Sequence, residues 1–182
     1  MPGRPGAPQW NLLTTSEFTL EGVRPGDYKL GFVVMGGGPG APAPMPAYVK
    51  SMRMGSDILN GFLHLDRQPE HRLEIVLSAN VSTLEGLVVN EKQQPAANVS
   101  VAIVPDAPYR SRADLYKAGT TDASGHFRIS GIAPGDYRLF SWADVEGYAW
   151  QDPEWLRVDE GRGQPVHFEE GAKESIQLTL IR

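Results

Sequence analysis

Apolar residues recur at every second position along much of this chain. In residues 98–104, Val99, Val101 and Ile103 share one face with Ser100 and Ala102 opposite, which is the period of a half-buried strand. Leu84, Gly86 and Val88 alternate with Glu85, Leu87 and Val89; Phe127 and Ile129 flank Arg128; Ile176, Leu178 and Leu180 are interleaved with Gln177 and Thr179. Polar or glycine-bearing stretches break these runs at N-E-K-Q-Q-P (90–95) and D-A-S-G (122–125), where Asp122 can accept from its own backbone and Gly125 can take positive φ. Residues 106–119 read as a long polar connection. No segment carries a convincing helical period. The pattern predicts an all-β fold of short strands and tight turns, a two-sheet sandwich over the last hundred or so residues.

One phrase is written twice. "FTLEGVRPGDYKL" at 18–30 and "FRISGIAPGDYRL" at 127–139 share Phe, Gly, Pro, Gly, Asp, Tyr and Leu at a constant separation. In each, Pro25 or Pro134 suits the second position of a turn, and Gly26 or Gly135 suits the positive φ of a type II third position. Asp27 or Asp136 can cap the turn, and Tyr28 or Tyr137 can bury its ring while the hydroxyl reaches backbone. Tyr137, Leu139 and Ser141 then alternate with Arg138, Phe140 and Trp142, apolar on much of both faces, as in the middle of a sandwich.

The repeat divides the chain into two tandem modules, 1–81 and 82–182. The first repeats the ending of the second, with "HRLEIVLSA" in the place of "ESIQLTLI", but not its beginning. Too few residues precede Phe18 to supply the leading strands, and the opening is rich in Pro and Gly. An open sheet leaves ladder groups unpaired and apolar faces bare. Three sources can fill the gap: more chain in a longer array, residues 10–13 packing back, or a strand from a neighbouring molecule. The edges near 14–20 and the terminal strand 174–181 are the expected assembly elements. A Gly/Pro loop, 35–48, is expected to form neither strand nor helix, and its Ala-Pro part favours polyproline II.

Composition narrows the function classes. Across 182 residues, 41% apolar and 21% charged content suits a globular chain, and 20 Gly with 15 Pro suits many turns. A net charge of −5 without a basic stripe argues against nucleic acid and anionic membrane as partners. There is no cysteine, hence no disulfide or thiolate chemistry. No run is long enough to span a bilayer, and the first ten residues lack the apolar core of a signal peptide. His64, His71, His126 and His167 stand singly, without metal-ligand spacing. His64 and His71 read as exposed loop histidines rather than metal ligands, His167 falls in a short strand around Q-P-V-H-F (164–168), and no catalytic triad or carboxylate pair is visible. No cofactor or metal is expected.

The opening G-x-V strand, "V-x-I-V-P-D", "T-D-x-S-G-x-F" and "G-I-x-P-G-D-Y" together resemble the carboxypeptidase-regulatory-like domains, which are similar to collagen-adhesin B-type and transthyretin-like sandwiches of bacterial exported and surface proteins. The resemblance covers nearly all of 83–182, and the tail of the same module covers roughly 14–80. It implies an Ig-like or transthyretin-like antiparallel sandwich serving as a non-enzymatic scaffold, spacer or binding module at the cell surface. Some collagen-adhesin B-type domains join Lys to Asn beside a buried acid; here the first strand has no Lys and "RLFSW" no acid. The expected function is thus a cell-surface structural protein that self-associates into a fibre or tube. The alternatives are a carbohydrate- or protein-binding module using Tyr148, Trp150 and Trp155, whose rings could equally cap the core, and an accessory domain of a larger secreted enzyme.

Overall fold

The strands begin and end where the sequence supplies turns. A computed structural model describes residues 17–30, 35–36 and 43–181. Its strands are β1 (Gly26–Lys29), β2 (Met35–Gly36), β3 (Ala43–Pro44), β4 (Tyr48–Met54), β5 (Asp57–Ile58), β6 (Phe62–Leu65) and β7 (Leu73–Ser78) in the first part of the chain. After them come β8 (Ser82–Val89), β9 (Ser100–Pro105), β10 (Lys117–Thr120), β11 (His126–Ile132), β12 (Gly135–Trp142), β13 (Gln164–Phe168) and β14 (Lys173–Thr179). The chain is all-β, and the ladders are antiparallel except where β14 runs parallel to β8.

β8 to β14 form a two-layer sandwich, one sheet ordered β10-β9-β12-β13 and the other β11-β8-β14. Leu84, Val88, Val101, Ile103, Phe127, Ile129, Tyr137, Leu139, Phe168 and Leu178 fill the space between the layers. β9 and β12 are apolar on their other face too, where Ala102, Val104, Phe140 and Trp142 are buried with Trp150 and Leu156 from the loop between β12 and β13. That cover explains why both faces of "RLFSW" can be apolar: the strand has protein on both sides. Gly86 lets the layers close, since a Cβ there would collide with the Ile176 carbonyl oxygen and lie 2.7 Å from the Phe127 ring. After β14 the chain crosses between layers, Ile181 N–H donating to Ser141 O at 2.7 Å and Ser141 Oγ to Thr179 O at 3.1 Å.

Local chemistry accounts for the connections. Asp122 accepts from Ser124 N–H (2.8 Å) and His126 N–H (3.0 Å), and Gly125 sits at φ +78°. The polar connection 106–119 carries two 3-10 turns, Tyr109–Ser111 and Ala113–Leu115, and then β10, with Leu115 and Tyr116 buried. One helical turn, α1 (Pro153–Leu156), interrupts the β pattern; Asp152 caps it by accepting from Glu154 N–H at 2.9 Å, with Pro153 in its first turn. A single turn is too short to register as a 3.6-residue period.

In the first part, β1 pairs β6, and β5-β4-β7 make a three-stranded sheet. The loop expected over 35–48 is partly stranded: β2 and β3 pair antiparallel and Tyr48 opens β4, while 37–42 lie outside the described residues. Backbone pairing does not require branched side chains, so a Gly/Pro-rich stretch can still form a short bridge.

Candidate functional site

The two corners are built alike. Gly22 and Gly131 take φ +70° and +79°, and Gly26 and Gly135 take +156° and +142° as the first residues of β1 and β12. The positive φ expected at Gly26 and Gly135 is present, but it is wider than a type II third position has, both glycines already belong to strands, and a second positive-φ glycine lies three residues upstream of each proline. Tyr28 Oη donates to Arg24 O at 2.5 Å and Tyr137 Oη to Ala133 O at 3.0 Å, four residues back in both cases. Burial pushes the Tyr137 phenol well above its ordinary pKa.

Asp27 and Asp136 point to histidines rather than capping their own turns. β1 and β6 pair Asp27 with His64, and β12 and β13 pair Asp136 with His167 in the same register. His64 Nδ1 donates to Asp27 Oδ1 at 2.6 Å and His167 Nδ1 to Asp136 Oδ1 at 2.7 Å, with Glu169 at 3.3 Å from the other ring nitrogen. The hydrogen bond to each aspartate is the first cause of a raised histidine pKa. Both histidines are exposed strand residues, as expected for His167, whereas His64 was expected in a loop. The sequence signal for these pairs was the equal spacing of His64 from Leu73 and of His167 from Ile176, the first residues of the apolar alternation that follows each. Among the described residues no group of three or more His, Cys, Asp or Glu is arranged to hold a metal ion.

The aromatic loop divides. Trp150 is buried and stacks on Trp142 (centroids 6.4 Å, 9°), which stacks in turn on Phe140 (5.1 Å, 4°). Trp155 meets Trp142 edge-on at 5.2 Å and is 38% exposed; Tyr148, in left-handed backbone at φ +68°, is 72% exposed. Tyr148 and Trp155 thus present ring surface, and Trp150 presents almost none. A broad open concavity of about 810 Å³ lies elsewhere, lined by residues including Glu85, Arg128, His126 and Gln177.

The first part differs most from the second at its sheet edges. In β11-β8-β14, the Leu180 N–H donates to Val89 O and Ala172 O accepts from Thr83 N–H, so even-numbered positions of β14 face β8. Leu73, Ile75 and Leu77 of β7 correspond to Ile176, Leu178 and Leu180, with the separation that relates His64 to His167. The Leu59 N–H reaches Met52 O at 2.9 Å, so Met52 faces β5 and Arg53, next along, faces β7, opposite Glu74. Glu74 and Val76 therefore spend their backbone groups on β4. Leu73, Ile75 and Leu77 turn theirs to the other edge, where no strand among the described residues pairs with them. β4 lies on the edge of β7 opposite to the one that β8 takes on β14.

Segment 17–23 corresponds to β11 from end to end and has its alternation, yet it forms no strand. Its ladder partner would be the counterpart of β8, and none is present among the described residues. Phe18 is 37% exposed where its counterpart Phe127 is buried, and Val76 and Leu77 are 50% and 45% exposed. Of the expected edge 14–20, residues 14–16 lie outside the described residues, as do 10–13. Glu17 accepts from Arg72 Nη1 at 2.9 Å, which holds this segment beside β7.

Contacts that sequence reasoning missed tie the first part to the sandwich. Glu170, in the turn after β13, accepts from Tyr48 Oη (2.7 Å) and Ser78 Oγ (3.0 Å), with Lys50 Nζ at 3.5 Å. These bonds, Tyr48 first, hold the Glu170 carboxyl below the usual carboxylate range. Arg112, paired with Asp114, also donates to Val49 O at 3.2 Å, and the Tyr48 ring enters the sandwich core. These partners lie far apart in sequence, and no local pattern announces them.

No family model matches the chain, and no curated protein matches its sequence. Solved structures give distant likenesses. A streptococcal ancillary pilin is 14% identical with a TM-score of 0.38, covering 86% of this chain and 45% of that one. BcpA, the major pilin subunit of Bacillus cereus, is 11% identical with a TM-score of 0.34, covering 59% and 31%. Catechol 1,2-dioxygenase from Acinetobacter sp. ADP1 is 15% identical with a TM-score of 0.31, covering 57% and 53%. The chain spans about a third to a half of the length of these three proteins. No helix among the described residues is long and apolar enough to cross a membrane.

Proposed function

We propose that the chain is a non-enzymatic structural protein of the bacterial cell exterior. It has two tandem modules of the carboxypeptidase-regulatory-like kind, 1–81 and 82–182, and self-associates through the strand-deficient first module. The observation that carries this reading is the edge of β7 that no described residue pairs: Leu73, Ile75 and Leu77 offer ladder groups at the place where β14 is paired by β8. A sandwich missing that strand leaves donors, acceptors and apolar side chains to a neighbour. The corner residues Pro25, Gly26, Asp27, Tyr28, Pro134, Gly135, Asp136 and Tyr137 act as structural parts, each set fixing a strand entry. Light scattering after size exclusion, with electron microscopy of the same fractions, tests the proposal. The expected result is assemblies that grow with protein concentration; a chain that stays monomeric throughout overturns self-association.

A further inference from the structure

Resting on the reading of the first module as strand-deficient, we propose that β7 and segment 17–23 flank an acceptor slot for one extended polypeptide strand. The occupant is the leading strand of another module of this kind, donated by a neighbouring polypeptide. It runs parallel to β7, is apolar at alternate positions, and carries glycine where it passes Phe18. The complete module specifies each of these properties. β8 sits between β11 and β14, antiparallel to the first and parallel to the second. Its Gly86 lies opposite both Phe127 and Ile176, and has no room for a Cβ. In the first module the same places are held by Phe18 and Leu73, and the ladder groups of Leu73, Ile75 and Leu77 face the slot.

Two further features fit a single inserted strand. Glu17 and Arg72 correspond to His126 and Ser175, which stand on opposite sides of β8, and their long side chains meet in an ion pair at 2.9 Å. They keep the two walls together without a ladder between them. Two edges of the sandwich are poorer acceptors: β13 carries Pro165, and β10 is four residues long and begins with Lys117. β7 has neither proline nor lysine, and leaves Val76 and Leu77 exposed.

The test uses the full chain, labelled with 15N, and a synthetic peptide with the sequence of residues 82–89, STLEGLVV. Saturable binding is expected, with amide exchange at Leu73, Ile75 and Leu77 slowed by about tenfold or more while Glu74 and Val76, already bonded to β4, hardly change. The same peptide with valine in place of its glycine should bind about tenfold more weakly or worse. Equal binding of the two peptides, or of neither, overturns the proposal. Protection of the three amides without peptide that is independent of concentration also overturns it, because the slot is then filled by the chain's own residues; protection that rises with concentration supports the slot and its filling by a neighbouring copy. Glycine-selective binding by a chain that remains monomeric sinks self-association and leaves the slot standing. Assemblies without peptide binding do the reverse.

Discussion

Phe168 and Leu65 hold the same place in the two repeats, opposite Gly135 and Gly26 at the start of the corner strand, and their surroundings differ. Phe168 is fully buried and meets Tyr137 edge-on at 5.7 Å and 74°. Leu65 is only partly covered, because among the described residues no counterpart of β8 roofs it. Phe168→Ala removes a full aromatic side chain from a packed layer and should cost about 3–5 kcal/mol, a large share of the roughly 5–15 kcal/mol that holds a domain together. Leu65→Ala loses only part of a leucine's burial and should cost about 1 kcal/mol or less. In urea, followed by tryptophan fluorescence, a slope near 2 kcal/mol per molar converts the first figure into a midpoint lowered by about 2 M and the second into about 0.5 M or less. Equal shifts for the two variants would refute the claim that one repeat encloses its corner and the other does not.

Three further outcomes are expected. The raised pKa of His167 comes first from Asp136, so Asp136→Asn should return the ring to the ordinary histidine range in an NMR titration. The pair stabilises the fold fully below the unfolded histidine value, and that contribution fades as pH rises through the raised one, so an unchanged titration refutes the assignment. Glu170→Ala removes the shared acceptor of Tyr48 and Ser78 and should speed proteolysis near 79–81; because the Glu170 carboxyl is held low, wild type should show the same change only as pH falls through that lowered value. Trp150→Ala should cost about 3–5 kcal/mol in urea unfolding through the loss of a buried stacked ring. A variant of full stability that has lost polysaccharide retention would instead make Trp150 a binding residue.

What the sequence determined alone is the material that acts locally or by period. Alternation placed β8, β9, β11, β12 and β14, because a strand's side chains must divide between two faces whatever lies above them. The repeated G-D-Y phrase marked both corners, since each tyrosine bonds a carbonyl only four residues away. The rest needed the third dimension. Segment 17–23 has the alternation of β11 but forms no strand, because a strand exists only by virtue of the ladder beside it. Trp150 and Tyr148, two residues apart with the same aromatic character, end in core and solvent because the backbone turns left-handed between them. The choice of β7's edge by β4, which leaves the opposite edge free, depends on hydrogen bonds between residues far apart in the chain. Pairing of that kind is set by which partners reach each other in the folded state, and no local run of side chains encodes it.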